Sequence, residues 1–199
     1  MPEPTLYDVA VIGAGYVGLP LSVTFAEAGG RVLVIDVQTA VVEALNGGTS
    51  HIEDVSDARL APLVEQGLVV ASTDYEQVKR AHAVLIALPT PLSRQREPDL
   101  SYIERAAHSL APVLQRGQVV VLESTTWPGT TREILQPILE HGSGLAAGVD
   151  FHLAMSPERV DPGREDWTTK TTPKVVGGIT PECTKAAAEV YRAALDTVH

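Results

Sequence analysis

The amino-acid sequence predicts an α/β fold, a doubly wound and mainly parallel sheet with helices on both faces. Short apolar runs alternate along the chain with amphipathic helical patterns, as in proteins built from βαβ units. Two of these runs, residues 83–88 and 119–122, are continuously apolar, which is typical of strands buried on both faces of a parallel sheet. The 199 residues are 44% hydrophobic and 20% charged, a composition that suits one globular domain.

The first turn between a strand and a helix carries a glycine pattern. An apolar run ends at Gly13, and the pattern G-x-G-x-x-G continues through Gly15 and Gly18 into a helix. Gly13 permits the tight turn, Gly15 lets a pyrophosphate approach the backbone, and Gly18 lets the helix lie close to its strand. A second strand, residues 31–35, ends at Asp36, where a carboxylate can accept a hydrogen bond from a ribose hydroxyl. These features predict a Rossmann-like fold that binds a dinucleotide at a helix N-terminus.

Asp36 also predicts which dinucleotide binds. Its carboxylate would repel a 2′-phosphate, and the following residues, Val37, Gln38 and Thr39, include no arginine to neutralise that charge. We therefore expect NAD rather than NADP as the cofactor.

Predicted helices and strands alternate along the rest of the chain. Helical patterns follow at residues 17–28, 41–45, 55–65, 73–80, 101–115, 131–140 and from 181 onward. Apolar runs predict the strands 68–71, 83–88, 119–122, 151–155 and 174–178. Thr73 with Glu76, and Ser101 with Glu104, have the spacing of capping boxes at two helix starts, and Thr180 is expected to cap the last helix.

Charge and hydropathy exclude several classes of partner. The formal net charge is −10 and the sequence has no cluster of Lys and Arg, so a nucleic acid is not expected as a partner. No apolar stretch reaches the ~18 residues that a membrane span needs. The first residues lack the basic segment of a signal peptide, so we expect a cytoplasmic protein that does not bind a membrane.

The cysteine and histidine content indicates neither disulfides nor metal. The single cysteine, Cys183, excludes an internal disulfide and a cysteine-rich metal site. It falls at the third position of the last predicted helix, and we expect a structural role for it. The six histidines show no paired spacing typical of metal ligands, so no metal site is expected.

Four motifs together resemble the UDP-glucose/GDP-mannose dehydrogenase family. They are Gly-Ala-Gly-Tyr-Val-Gly at 13–18, Pro-Thr-Pro-Leu at 89–92, Glu-Ser-Thr-Thr at 123–126 and Ser-Pro-Glu-Arg-Val at 156–160. Their order and approximate spacing match the amino-terminal part of that family. The last motif is most similar to the branch that acts on UDP-N-acetylglucosamine or UDP-N-acetylmannosamine, because UDP-glucose enzymes typically have Pro-Glu-Phe-Leu there.

The resemblance implies an activity and roles for individual residues. The family oxidises the C6 alcohol of a nucleotide sugar to a carboxylate with two NAD and a covalent thioester on a cysteine. The resemblance assigns Thr125 and Glu158 to the water that hydrolyses the thioester, and Glu158, Arg159 and Val160 to the nucleotide sugar. It assigns NAD contacts to the following residues: Gly13, Gly15, Tyr16, Val17, Gly18, Asp36, Pro89, Thr90, Pro91, Ser124 and Thr125.

The chain departs from the family pattern at two places. Val41 stands where many relatives have Lys or Arg, and the motif with the catalytic cysteine is not found in these 199 residues. The helix with an active-site lysine and asparagine is also not found. We therefore expect residues 1–199 to be the NAD-binding domain of a larger enzyme, a homodimer or larger oligomer whose central helix and UDP-sugar-binding domain lie outside this sequence.

Other interpretations remain open. The chain could be a non-catalytic NAD(H)-binding sensor or regulatory module, because it carries no recognised nucleophile. The enzyme could act on UDP-glucose or GDP-mannose. A β-hydroxyacid dehydrogenase of the 6-phosphogluconate type shares the glycine motif but is disfavoured by residues 156–160. For single residues, Glu158 could be an ordinary loop carboxylate, and Thr125 and Thr126 could cap the helix that follows.

Overall fold

The computed structural model describes residues 5–91, 98–158 and 169–199. The strands are β1 (Tyr7–Ile12), β2 (Val32–Ile35), β3 (Val69–Ser72), β4 (Ala81–Ile86), β5 (Val119–Leu122), β6 (His152–Met155) and β7 (Gly177–Gly178). The α-helices are α1 (Gly18–Glu27), α2 (Thr39–Asn46), α3 (Asp57–Glu65), α4 (Ser101–Leu110), α5 (Gln136–Ser143) and α6 (Pro181–Arg192). Short 3₁₀ segments cover Tyr75–Arg80 and Ala111–Val113, and Thr131–Leu135 is π-helical.

The strands form one sheet in the order β3-β2-β1-β4-β5-β6-β7. All neighbours pair in parallel except β6 and β7, which are antiparallel. The strand order reverses between β1 and β4, so the crevice at the carboxyl ends of these two strands is where such sheets bind ligands. Ile12 is in register with Ile35 and Ile86, so the loops after β1, β2 and β4 leave the sheet at one edge.

Each sheet face packs against its own layer of helices. On β5, Val119 and Val121 lie in the cluster formed with α1, α2, α3 and α6, whereas Val120 and Leu122 lie in the cluster formed with α4 and α5. All four β5 side chains are buried, as the apolar run predicts. The doubly wound, mainly parallel fold predicted from the sequence is therefore confirmed.

The two predicted capping boxes are wrong. Asp74 caps the segment Tyr75–Arg80, because its Oδ1 accepts a hydrogen bond from the backbone N–H of Glu76 at 2.9 Å. At the start of α4, Asp99 Oδ1 accepts from the N–H of Ser101 at 2.9 Å, so Ser101 is the first helical residue. Asp74 closes a tighter loop than the predicted Thr73 cap and takes the Glu76 N–H that the first box would use. The Glu104 N–H that the second box would use donates to the Leu100 carbonyl at 3.0 Å, as in an ordinary helical turn.

Two predicted helices that contain a proline depart from a regular α-helix, and the first of them is also shorter than predicted. The helix expected over 101–115 ends at Leu110, and Pro112 lies in the 3₁₀ segment that follows. The helix expected over 131–140 begins with a π-helical turn and continues as α5, in which Pro137 cannot donate a backbone hydrogen bond. None of the helices in the described ranges combines the length and the apolar character that crossing a bilayer would require.

The strand predicted over 174–178 is mostly not part of the sheet. Only Gly177 and Gly178 pair with β6. Lys174 instead forms a bridge with Val198: its N–H donates to the Thr197 carbonyl at 2.9 Å, and its own carbonyl accepts from the His199 N–H at 2.8 Å. This pairing fixes the backbone of Lys174 beside the sheet rather than within it.

Candidate functional site

A cavity of about 350 Å³ lies at the carboxyl edge of β1, β4 and β5. This volume falls within the range of small-molecule and cofactor sites, roughly 300–1,000 Å³. Loops after these strands and the segment after β6 line it with the following residues: Gly15, Tyr16, Val17, Ala87, Leu88, Pro89, Thr90, Glu123, Ser124, Thr125 and Glu158. The cavity therefore occupies the crevice that the strand order predicts.

The three glycines of the first turn serve different purposes. Gly13 has a φ of +102°, a conformation that other residues rarely adopt. A Cβ atom at Gly18 would clash with the Gly13 carbonyl oxygen, so only glycine lets α1 begin against this turn. A Cβ atom at Gly15 would meet no protein atom within 4 Å. Gly15 thus leaves open space at the cavity, where a pyrophosphate could reach the backbone.

Asp36 ties the end of β2 to the glycine turn. Its Oδ2 accepts from the N–H of Ala14 at 3.0 Å, and its Oδ1 accepts from the N–H of Gln38 at 2.9 Å. Each carboxylate oxygen has a second lone pair, so a ribose hydroxyl can still donate to it. Burial and, to a lesser degree, the charge of Asp36 raise the pKa of Tyr75 to about 12. The turn and this acid fit the ribose and pyrophosphate of a dinucleotide.

Two hydroxyl groups join the loops after β4 and β5. The Ser124 hydroxyl accepts from the N–H of Leu88 at 3.1 Å and donates to the Leu88 carbonyl at 2.7 Å. Thr90 Oγ1 donates to the Thr125 carbonyl at 2.7 Å. The predicted alternative that Thr125 and Thr126 cap the next helix is wrong, because Thr130 occupies that position. The hydrogen bonds hold both loops along one wall of the cavity.

The structure brings most of the predicted site residues together. Gly13, Gly18 and Asp36 form the turn behind the cavity, and Pro91 is not among its lining residues. Arg159 and Val160 lie outside the described residues. The remaining predicted residues, which line the cavity, are Gly15, Tyr16, Val17, Pro89, Thr90, Ser124, Thr125 and Glu158. Val41 packs against the hydrophobic core, as an apolar side chain on this helix should.

A charged cluster on the α6 face of the sheet contributes Glu123 and Glu158 to the wall of the cavity. Glu123 is completely buried, and its Oε2 is 2.6 Å from Lys174 Nζ. The Tyr191 hydroxyl donates to the other oxygen, Oε1. Lys174 Nζ also lies 3.3 Å from Glu158 Oε2, whose side chain is 14% exposed at the cavity wall. We call these four residues, Glu123, Glu158, Lys174 and Tyr191, the charged cluster.

Burial dominates the electrostatics of this cluster. It raises the pKa of Glu123, and the Lys174 ammonium and the Tyr191 hydroxyl oppose that effect. Burial, followed by the charge of Glu123, raises the pKa of Tyr191 well above its usual value, so its hydroxyl remains a donor. The Lys174 ammonium also lies 5.5 Å from the centre of the Tyr191 ring, within range of a cation–π interaction.

The sequence motifs assign no role to Glu123, Lys174 or Tyr191. One signal was present, because Val119, Val121 and Glu123 share one face of a strand by alternation. A glutamate that continues a buried apolar face requires a buried partner. The sequence does not identify that partner, since Lys174 is 51 residues away.

Cys183 has the structural role predicted for it. It is buried on α6, and its Sγ accepts from the N–H of Leu153 at 3.5 Å. Thr180 caps this helix, with its Oγ1 accepting from the Cys183 N–H at 3.2 Å. Within the described ranges, no group of three or more His, Cys, Asp or Glu side chains is arranged to hold a metal ion.

The strand order, the glycine turn and the acid after β2 define a dinucleotide-binding domain of the Rossmann type. Residues 7–195 match the family model of the UDP-glucose/GDP-mannose dehydrogenase family, NAD binding domain. The chain belongs to this family, and the cofactor of its domain is NAD.

Named relatives and a solved structure agree with this membership. UDP-N-acetyl-D-mannosamine dehydrogenase from Pyrococcus horikoshii is 38% identical over 185 residues, which cover 92% of this chain and 44% of the relative. NDP-N-acetyl-D-galactosaminuronic acid dehydrogenase from Ralstonia nicotianae is 38% identical over 190 residues, covering 92% and 44%. The structure of the Pyrococcus horikoshii UDP-D-ManNAc dehydrogenase superposes with a TM-score of 0.88 at 36% identity, covering 96% of this chain and 46% of that one. The chain thus spans less than half the length of these relatives.

Proposed function

We propose that the full-length protein oxidises the C6 alcohol of a UDP-N-acetylhexosamine to a uronate with two NAD. This chain would supply the NAD-binding domain and one wall of the sugar site, in a cytoplasmic enzyme that is a homodimer or larger. The observation that carries the proposal is the Glu158 carboxylate on the wall of the cavity that also contains Gly15 and Thr125. The names of the relatives, which refer to N-acetylated nucleotide sugars, support the choice of substrate class.

The cofactor would lie along the carboxyl edge of the sheet. Backbone N–H groups of the glycine turn would face the pyrophosphate, and Asp36 would accept from the ribose. Bound there, NAD would supply the acceptor for the hydride that leaves C6. The remaining contacts are assigned to the two joined loops, through Pro89, Thr90, Pro91, Ser124 and Thr125.

Glu158 and Thr125 would serve the hydrolysis of the thioester. Water attacks the thioester carbonyl, the C–S bond breaks, the cysteine leaves as a thiolate, and Glu158 accepts the proton of the water. A carboxylate can act as such a base only when it is held within hydrogen-bond reach of the water. Both residues line the same cavity, which is consistent with this division of labour. Arg159 and Val160 are proposed to contact the nucleotide sugar.

The cysteine for this reaction must come from outside these 199 residues. Cys183 is buried between α6 and β6 and does not line the cavity, so a thiolate there could not reach a sugar. We therefore expect the 199-residue chain to show a thermal shift with NAD⁺ but to produce no NADH with any UDP-sugar. Cys183→Ser should behave like the wild type in both assays; turnover by the wild-type chain that this substitution abolishes would contradict the assignment.

The substrate class is tested on the full-length enzyme. The ratio of kcat/KM for UDP-N-acetylmannosamine and UDP-N-acetylglucosamine over UDP-glucose and GDP-mannose should exceed ~10, a difference that contacts with a few substrate atoms can provide. A preference for UDP-glucose or GDP-mannose would overturn the substrate proposal and leave the family membership intact.

A non-catalytic NAD(H)-binding module is the second candidate. The buried position of the single cysteine favours it, because the chain then has no accessible thiol nucleophile. The open reading frame distinguishes the two. A continuation that contains a cysteine motif and restores uronate formation supports the dehydrogenase, whereas a protein with no such continuation is the binding module.

A further inference from the structure

Glu123 is a buried carboxylate whose two oxygens both have partners. It directly follows β5 on the same face as Val119 and Val121, so the strand directs it to the wall of the cavity. A buried charge without a partner is strongly unfavourable. Lys174 Nζ lies 2.6 Å from Oε2, and the Tyr191 hydroxyl donates to Oε1. Glu123 therefore fixes the end of the Lys174 side chain.

The backbone of Lys174 is fixed as well. Its N–H and carbonyl groups both pair with residues 197–199, and the Val176 N–H donates to the His199 carbonyl at 2.9 Å. Only 5% of Lys174 is exposed. A lysine side chain normally has many rotamers, but here both ends of it are held. The ammonium group is thus a rigidly located charge.

The same ammonium reaches the cavity through Glu158. An ammonium group has three N–H donors, and one of them is directed to Glu158 Oε2 at 3.3 Å. Glu158 follows β6 by three residues and has no strand pairing of its own among the described residues, so its side chain depends on such contacts for its position. Lys174 connects the rigid β5 interior to a carboxylate at the cavity wall.

We propose that Lys174 is a positioning residue that holds Glu158 at the site of hydrolysis, an inference that rests on the function proposed above. Glu123 anchors the ammonium, and the ammonium orients Glu158. Lys174 is not among the residues that line the cavity, so it would act through Glu158 and not on the substrate or the cofactor directly. The role requires a cation beside Glu158, so Lys174→Arg should retain part of the activity that Lys174 supports.

A variant that removes only the cation could fail to fold, because Glu123 would lose its counter-charge. The double variant Glu123→Gln/Lys174→Met removes both charges and keeps the interior neutral. Tyr191→Phe is the matched control: it removes a partner of Glu123 and leaves the contact between Lys174 and Glu158 in place. Lys174→Arg tests rescue by the conservative change.

The experiment is rapid-mixing measurement of NADH on the full-length enzyme with saturating UDP-N-acetylhexosamine. In the double variant both oxidation steps should proceed, giving a burst of about two NADH per active site, since two NAD are used per sugar and only hydrolysis is impaired. Steady-state kcat should then fall ~10²-fold, the scale of a misplaced reacting group, with the Kd for NAD⁺ unchanged. Tyr191→Phe should show the same NADH burst as the wild type and a kcat within about threefold of it, and Lys174→Arg should recover at least tenfold of the loss.

The outcomes separate this inference from the proposed function. If the wild type is active but the double variant shows no burst, or loses no more kcat than Tyr191→Phe, Lys174 is only a structural counter-ion and the inference is wrong. If the wild-type enzyme makes no uronate from any nucleotide sugar, the proposed function fails, and the role given to Lys174 fails with it.

Discussion

The two ends of the cavity region are built by different means. At the glycine-turn end, residues 13–18 and Asp36, the site consists of backbone N–H groups, an absent side chain at Gly15 and one acid that binds the turn. At the other end, the charged cluster joins side chains from β5, α6 and two loops around a buried ammonium. One end is shaped by backbone geometry and the other by buried charge.

The difference has consequences for stability and for function. A site built mainly from backbone groups needs no desolvated charge. A buried ion pair is often no more stabilising than apolar residues of the same size, yet removing one partner is strongly destabilising. The charged cluster is therefore expected to respond to single substitutions and to pH, whereas the glycine-turn end responds mainly through ligand affinity.

The largest expected effect is on the charged cluster. Lys174→Met should lower the free energy of unfolding of the chain by about 3–5 kcal/mol at pH 7, because Glu123 loses its counter-charge. Urea denaturation measures this loss. Glu123→Gln/Lys174→Met should recover most of it, and Lys79→Met, which breaks the exposed pair with Glu76, should change stability by less than about 0.5 kcal/mol. A double variant as unstable as Lys174→Met would show that the cluster is not organised around charge.

A smaller effect is expected at Asp36, where the informative quantity is the affinity for the cofactor. Asp36→Asn should weaken NAD⁺ binding by about 1–3 kcal/mol, the scale of a lost charge-assisted hydrogen bond. It should also reduce the difference in affinity between NAD⁺ and NADP⁺, because the uncharged amide would no longer repel the 2′-phosphate. Calorimetric titration with both cofactors measures this. Equal affinities of the wild type for NAD⁺ and NADP⁺ would contradict the role given to Asp36.

The smallest effect is a pH dependence that comes from Glu123. Its pKa is raised in the folded state, so the native chain holds this proton more tightly than the unfolded chain does. The stability that comes from the proton is complete below the ordinary value of 4.5 and is lost as the pH rises through the raised pKa. Across that interval, the unfolding free energy should fall by up to about 1.4 kcal/mol per pH unit relative to Glu123→Gln. Parallel pH profiles for the two proteins would show that Glu123 is not perturbed.

The same contrast explains what the sequence could reveal. The glycine turn, the helix after it and Asp36 lie within 36 residues, so local spacing predicts their geometry. Strand existence was also predictable, since continuous apolar runs mark buried strands. The charged cluster was not, because Tyr191 and Glu123 are 68 residues apart and meet only when α6 packs on β5. The cap positions failed for a different reason: Asp74 takes the Glu76 N–H that Thr73 would cap, and Asp99 binds the Ser101 N–H, so that Ser101 is the first helical residue and not the cap.

We expect the cofactor to occupy the space left open by the missing side chain at Gly15. Titration of NAD⁺ into the wild-type chain and into the variant Gly15→Ala tests this expectation most directly. A Cβ atom at Gly15 meets no protein atom within 4 Å, so the variant should unfold at the same temperature as the wild type. The methyl group would occupy the space of the pyrophosphate, and NAD⁺ affinity should fall at least ~10-fold, about 1.4 kcal/mol. Wild-type affinity in a fully folded Gly15→Ala chain would contradict the account.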